Sequence, residues 1–364
     1  MNSFSAVELE QYARHFSLPE LGKNGQLRLK NSKVLCVGAG GLGSSALFYL
    51  AAAGVGTIGI VDADTVALSN LQRQVIYTMA DIGKLKVDVA RERLLALNPH
   101  IDVKCHPVSL TIDNALEIIS QYDVVMDATD NYAARYLIND ACFQLQKPDV
   151  FACILRFQGQ CTVFATQNGP CYRCLFPSPP TADFIPSCAD AGVLGVLPGL
   201  MGSLQAIEII KMLLNLGVSL AGRLLTVDTL SMKWNELALK RNPECLLCVK
   251  KTAFLELPRP AAVCGRVSVP EISLAEFKQL RDNAADFFLL DVRERDEFAE
   301  ANLGGYLIPL GELPERLCEI QSSKPIIVHC KSGRRSAQAV EILLKNNFSN
   351  VRNLQGGLVA WLGS

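Results

Sequence analysis

The sequence predicts an α/β protein. A first unit has a mostly parallel sheet and a nucleotide-binding crossover, and a second α/β unit is smaller. Three observations predict this. Residues 34–64, VLCVGAGGLGSSALFYLAAAGVGTIGIVDAD, read in order as strand, glycine turn, helix, strand and acid. Short apolar runs then alternate with helical stretches, as they do where crossover helices join parallel strands. Over residues 251–268 that alternation stops in a stretch with Pro258 and Pro260 and no helical period, which reads as a linker. The alternation resumes near Val269, so the predicted units are 1–250 and 269–364.

The elements follow in order. Residues 1–30 are charged and helical, with Arg14 on a short amphipathic segment where spacing alone describes a solvated arginine. The apolar run 34–37 has the length of a buried strand. Gly38, Gly40 and Gly43 stand at G-x-G-x-x-G spacing, 44–53 is helical, and 57–61 is a strand ending on Asp62. A polar loop, 65–74, holds Asn70, Arg73 and Gln74. A helix at 87–97 opens just after Lys86 and closes at Asn98-Pro99. Residues 102–108 alternate like a strand, and 112–120 is helical. The buried strand 122–127 runs into Ala128-Thr129-Asp130-Asn131 and a helix from Tyr132. Residues 193–220 are the most apolar, but Pro198, glycines, Glu208 and Lys211 interrupt them. They read as a buried helix pair rather than a membrane span, with a helix at 199–214. Residues 223–228 are strand-like.

In such a crossover Gly38 permits the tight turn, Gly40 lets backbone approach a phosphate, and Gly43 lets helix and strand pack closely. The helix N-terminus offers unpaired N–H groups to an anion. Asp62 stands where a carboxylate accepts hydrogen bonds from ribose hydroxyls. Alone, this unit has NAD as its default ligand. Arg73, Lys86 and Asp130 change the reading. The strand order predicted places them around the glycine loop, where two cations neutralise a polyphosphate and Asp130 offers an oxygen to Mg²⁺. An NAD- or FAD-dependent oxidoreductase leaves those three residues unexplained.

The chain has 13 cysteines. Cys171-Tyr172-Arg173-Cys174 and Cys245-Leu246-Leu247-Cys248 are two C-x-x-C knuckles, and together they offer four thiolates to one structural zinc ion. Cys188 lies between them in a small-residue context that equally suits an inert buried thiol. In the second unit, strands at 287–290 and 325–328 end in Asp291-Val292-Arg293 and His329-Cys330. Lys331-Ser332-Gly333-Arg334-Arg335-Ser336 then leads into a helix at 337–345. A cysteine between a buried strand and a helix N-terminus gains a stabilised thiolate from inward N–H groups and the helix dipole, and Arg334 and Arg335 add positive charge. Cys330 is therefore a candidate nucleophile or persulfide carrier. Composition narrows the partners: a net charge of −1 gives no electrostatic reason for nucleic acid or anionic membrane. The N-terminal stretch has no secretory pattern, so a cytoplasmic protein is expected.

Residues 1–250 resemble the ubiquitin-activating-enzyme-like adenylyltransferases of the MoeB/ThiF/HesA group. The strings carrying the resemblance are RHFSLPELG, VGAGGLGSSALFYLAAAGVGTIGIVDADTV, LSNLQRQ, IGKLKV, LNPHI, DATDN, CYRC and RNPECLLC. Residues from about 268 resemble a rhodanese domain through LLDVRE, HCKSGRRSAQA and GGLVAW. The fusion is similar to proteins that activate sulfur carriers for molybdenum cofactor, thiamine, cysteine or tRNA thiolation. The resemblance implies a Rossmann-like fold binding ATP at Gly38, Gly40, Gly41 and Gly43, with Asp62 on the ribose. It implies Arg73 and Lys86 on phosphates, Asp130 on Mg²⁺, Asn70 and Gln74 lining the site, and zinc on the four knuckle cysteines. Arg14 would reach the nucleotide site of the other protomer in a homodimer. The substrate implied is a small ubiquitin-like sulfur carrier ending in Gly-Gly, with thiosulfate or a protein persulfide as sulfur donor. Cys330 would carry the sulfur, and Cys188 would serve as a second thiol. Asp291 and Arg293 would organise the second unit. A rhodanese-like half that merely docks partners is the remaining alternative.

Overall fold

The computed structural model describes residues 4–166, 169–177, 192–254, 269–320 and 324–362. The chain divides into two compact units, Met1–Val263 and Cys264–Ser364.

The first unit opens with α1 (Ala6–Gln11), α2 (Ala13–Phe16) and α3 (Gly22–Asn31). A capping box starts α1: Glu8 N–H donates to Ser5 Oγ, and Ser5 N–H donates to the Glu8 carboxylate. Strand β1 (Lys33–Val37) follows, then α4 (Gly41–Ala52) and β2 (Thr57–Val61). Next come α5 (Lys86–Leu97), β3 (Asp102–His106), α6 (Ala115–Ser120), β4 (Val124–Asp127) and α7 (Tyr132–Leu145). The unit closes with β5 (Asp149–Leu155), β6 (Gln158–Phe164), α8 (Tyr172–Leu175), α9 (Val196–Leu214), β7 (Arg223–Asp228) and β8 (Lys233–Ala238). The sheet order is β3-β2-β1-β4-β5-β6-β7-β8. Strands β3 to β5 run parallel, and β6, β7 and β8 join as an antiparallel edge.

This is the mostly parallel α/β sheet expected. Helices cover both faces of the parallel part, so Val34, Leu35, Cys36 and Val37 are all buried and β1 shows no alternation. Two differences have physical causes. Residues 193–220 hold one helix, α9, rather than a pair. Pro198 falls in its first turn, where a missing N–H leaves no bond unmade. By length and apolar content α9 would suffice to cross a bilayer. Here it packs along α4 and β5, with Leu197, Met201, Ile209 and Leu214 in the core. Its buried Gln205 donates to Asp127 O at 2.7 Å and Val150 O at 2.8 Å. The first unit's packing also passes residue 251, because Phe254 is buried among Leu35, Val125 and Leu137. Most of the expected linker, 255–268, lies outside the described residues.

The second unit contains β9 (Glu271–Ile272), α10 (Leu274–Asp282), β10 (Phe288–Asp291), α11 (Arg295–Glu300) and β11 (Tyr306–Leu307). It continues with β12 (Ile326–His329), α12 (Arg334–Lys345), β13 (Val351–Leu354) and α13 (Gly357–Leu362). Its sheet is parallel throughout, in the order β11-β10-β12-β13-β9. The central strand β12 is fully buried and leads directly into Cys330.

Candidate functional site

The glycine loop leaves the carboxyl end of β1 between β2 and β4, a position where open α/β sheets bind ligands. Gly38 has φ +100°, and a Cβ there would lie 2.7 Å from Ala128 O, so the turn packs directly on the loop after β4. Helix α4 begins at Gly41, earlier than the sequence pattern placed it. Gly41 and Gly43 therefore sit in its first turn, where N–H groups have no intrahelical partner. Gly43 is also a point of close packing: a Cβ would lie 2.3 Å from Gly38 O.

Three side chains hold this loop. Asp62 accepts from Ala39 N–H at 2.8 Å and from Asp64 N–H at 2.9 Å, so one carboxylate joins the ends of β1 and β2. Burial raises the Asp62 carboxyl above its ordinary value, and Lys86 opposes that shift. Lys86, in the first turn of α5, donates to Asp64 at 2.8 Å and lies 4.0 Å from Asp62. In this structure its ammonium thus faces the carboxylates at the end of β2. Tyr77 was not signalled by any motif, yet its hydroxyl donates to Ala39 O at 2.8 Å and Lys86 O at 3.3 Å.

The 65–74 loop closes the other side. Gln74 is buried, and its Nε2 lies 3.7 Å from where a Gly40 Cβ would stand. Its Oε1, on the same amide, is buried without a hydrogen-bond partner among the described residues. Arg73 is half-buried, its Cγ 3.6 Å from a Gly41 Cβ position and its Nη1 donating to Ser69 O at 3.0 Å. Asn70 turns its Oδ1 to Ala67 N–H at 3.2 Å and shapes the loop. Asp130 is exposed just beyond β4. The turn presenting it is shaped by buried Asp127, whose Oδ1 accepts from Thr129 N–H at 2.9 Å and Thr129 Oγ1 at 2.6 Å. Arg135 underpins the same turn, donating to Thr129 O at 3.2 Å and lying over the Tyr132 and Phe151 rings. Gln74, Arg73, Asp62, Lys86 and the glycines are therefore brought together, and the turn that carries Asp130 packs on Gly38 through Ala128. Arg14 is exposed on α2, and among the described residues it makes no hydrogen bond or ion pair with the cradle.

Cys171, Cys174, Cys245 and Cys248 form a second constellation, with all four sulfurs within 4.8 Å of one another. Neighbouring separations are 3.4 to 3.8 Å. A tetrahedral ion with metal–sulfur bonds of about 2.3 Å sets sulfurs about 3.8 Å apart, so the four thiols fit a metal ion. Burial pushes the Cys248 thiol up to about 12, and a cation at the centre is what turns such thiols into thiolates. The first knuckle is anchored by a pair that spacing did not reveal. Arg173, 1% exposed, donates to both Asp140 oxygens at 2.7 Å and lies 4.7 Å from the Tyr136 ring centroid. Cys188 lies outside the described residues.

In the second unit Cys330 is 1% exposed. Gly333 N–H donates to its Sγ at 3.2 Å and Ser336 Oγ–H at 3.3 Å, so loop and helix donors converge on one sulfur. Arg335 is not free to add charge, because it pairs with Glu297 at 2.6 and 2.8 Å. Arg293 grips Asp291 and donates to Glu297 O at 3.1 Å and Ala301 O at 2.7 Å, closing the end of α11. His329 is buried 3.5 Å from Asp291, and burial lowers its ring below the ordinary value.

The ThiF family matches residues 12–247, and the Rhodanese-like domain matches 273–364. The chain is 40% identical to the probable adenylyltransferase/sulfurtransferase MoeZ of Mycobacterium tuberculosis, over 99% of this chain and 94% of that protein. It is 51% identical to a sulfur carrier protein adenylyltransferase of Thermus thermophilus, over 71% of this chain and 97% of that protein. The crystal structure of E. coli MccB with ATP shares the fold at a TM-score of 0.57 and 23% identity, covering 67% of this chain and 75% of that one. With the cradle, Cys171, Cys174 and Cys245 of the cysteine cluster, and the Cys330 loop inside matched regions, the chain belongs to the ThiF family and carries a C-terminal rhodanese-like domain.

Proposed function

We propose that this chain uses ATP to adenylate the C-terminal Gly-Gly of a small ubiquitin-like sulfur carrier, then supplies sulfur from a Cys330 persulfide to give a thiocarboxylate. The observation that carries this reading is one chain holding both a phosphate cradle flanked by Arg73 and a strand-to-helix loop with two donors on Cys330 Sγ. In adenylation the carrier's carboxylate attacks the α-phosphate and pyrophosphate leaves. The glycine loop N–H groups, Arg73 and Lys86 neutralise the reacting phosphates, with Asn70 and Gln74 lining them. Lys86 does this by exchanging exposed Asp64 for phosphate. Asp62 takes the ribose hydroxyls. Asp130 would hold Mg²⁺ through a carboxylate oxygen, and the ion would neutralise phosphate charge. Cys171, Cys174, Cys245 and Cys248 would hold zinc as a closed, structural site. Arg14 acts on the other protomer of a homodimer.

The terminal sulfur of the Cys330 persulfide attacks the acyl-adenylate carbonyl, and AMP leaves. A second thiol, for which Cys188 is the candidate, attacks the Cys330 sulfur and releases the thiocarboxylate. The resulting disulfide is reopened by an external dithiol. Thiosulfate or a protein persulfide reloads Cys330.

Pyrophosphate exchange into ATP tests the first half, and exchange is expected only when a Gly-Gly-ended carrier is present. Cys330→Ala should keep that exchange and abolish thiocarboxylate formation from thiosulfate. NAD reduction without carrier-dependent exchange, or an unchanged thiocarboxylate yield in Cys330→Ala, sinks the reading.

A further inference from the structure

The glycine pair that closes the second unit is packed against the sulfur loop. Gly356 and Gly357 both have positive φ, +71° and +57°, and turn the chain from β13 into α13. The first turn of α13 then lies along the loop: Leu358 N–H donates to Cys330 O at 2.9 Å, and Val359 N–H donates to Lys331 O at 3.0 Å. In a trans peptide the C=O and the following N–H point in opposite directions. Holding these two carbonyls toward α13 turns the N–H groups of Lys331 and Ser332 to the loop's other face. Gly333 N–H, next in the chain, donates to Cys330 Sγ at 3.2 Å. The approach leaves no space for a side chain. A Cβ on Gly357 would lie 2.4 Å from Cys330 O and 2.9 Å from both Gly333 N and Lys331 C. The body of α13 is held independently, with Leu358 buried among Ile272, Phe277 and Leu354, and Trp361 edge-on to Phe277 with ring centroids 5.5 Å apart.

We infer that Gly357 is a positioning residue for sulfur transfer: by admitting α13 to the Cys330 and Lys331 carbonyls it latches the loop in the form that presents N–H groups to sulfur. The latch rests on Cys330 being the sulfur carrier.

The test uses the full chain with thiosulfate and cyanide. Cys330 thiolate attacks the outer sulfur of thiosulfate, the S–S bond breaks, and sulfite leaves. Cyanide then removes the persulfide sulfur as thiocyanate and restores the thiolate. Gly356→Ala is the matched comparison, because it carries the same positive-φ penalty but its Cβ meets Ala360 Cβ at 2.6 Å rather than the loop. The charged and titratable groups around the loop, Asp291, Arg293, Glu297, His329, Lys331 and Arg335, are the same in both variants. Loss of an oriented donor set lowers turnover by about a hundredfold, so Gly357→Ala is expected to fall by roughly that factor and Gly356→Ala by less than about threefold. The acid limb of the Gly357→Ala pH–rate profile should also move to higher pH. Equal losses in the two variants, or an unmoved profile, overturn the latch. If Gly357→Ala does not fold, Val359→Pro removes one donor at an exposed position in a first helical turn, and it must show the same displaced profile. A wild-type chain with no persulfide on Cys330, by mass spectrometry, overturns the sulfur-carrier reading and the latch with it. A loaded wild type with equal variants overturns the latch alone.

Discussion

The loops that follow β1 and β12 are built alike and used differently. Each leaves a buried parallel strand, passes a glycine with positive φ, and enters a twelve-residue helix: Gly38 at +100° leads to α4, Gly333 at +89° to α12. The β1 loop stays open. Its cation Arg73 is half-buried beside the glycines, and Asp130 is exposed. The β12 loop closes on a single atom, Cys330 Sγ, and the cations Arg293 and Arg335 are paired with Asp291 and Glu297. A strand–glycine–helix turn makes an anion cradle in both units. Loop size and the pairing of nearby charges then set how much of each cradle stays open.

The strongest way to break this comparison is to remove the open cradle's cation. Arg73→Ala should lower carrier-dependent pyrophosphate exchange by about a hundredfold, roughly 2.7 kcal/mol, while thiosulfate-to-cyanide transfer holds. A parallel fall in both activities would show that the two cradles are not separable. Next in size is a paired charge in the first unit. Asp140→Ala removes the carboxylate partner of the buried Arg173 guanidinium, which costs about 3–5 kcal/mol. Denaturant unfolding should show the first unit's transition move and the second unit's stay. A loss below about 1 kcal/mol would mean that water reaches Arg173.

The smallest effect sharpens the closed cradle. The Arg335 hydrogen bonds hold the Glu297 carboxyl at about 2, below the ordinary 4.5. A lowered folded value means the pair stabilises fully above pH 4.5 and less as pH falls toward 2. Both side chains are partly exposed, so the contribution is at most about 1 kcal/mol. Glu297→Gln should flatten the second unit's stability over that window. An unchanged slope would remove Glu297 as the titrating partner.

The crossover was legible because its determinants are local. Residues 57–61 coincide with β2, and 34–37 fall one residue short of β1. Of the antiparallel edge, 223–228 coincides with β7, whereas β6 and β8 were not legible. Every residue of β8 is exposed, so no alternation marks it. Strands β5 and β6 turn around Arg156, which has φ +53° without a glycine to signal it. Around the cradle and the cysteine cluster, Tyr77, Arg135 and Asp140 carried no spacing signal. Their roles consist of hydrogen bonds to groups far along the chain or in other elements. Arg335 was read as a free charge for the same reason, since Glu297 stands 38 positions earlier.

By itself the sequence determined the strand–glycine–helix order of both cradles, the two cysteine knuckles and the place of Cys330 directly after β12. These depend on backbone sterics and short-range spacing, which act between neighbours. Only the tertiary structure decided which charges stay available. Lys86 faces Asp64, Arg335 is paired with Glu297, and the closing glycines lie against the Cys330 loop. Those outcomes depend on which groups meet across elements, where burial makes an unpaired charge costly and leaves a cation open only at the rim.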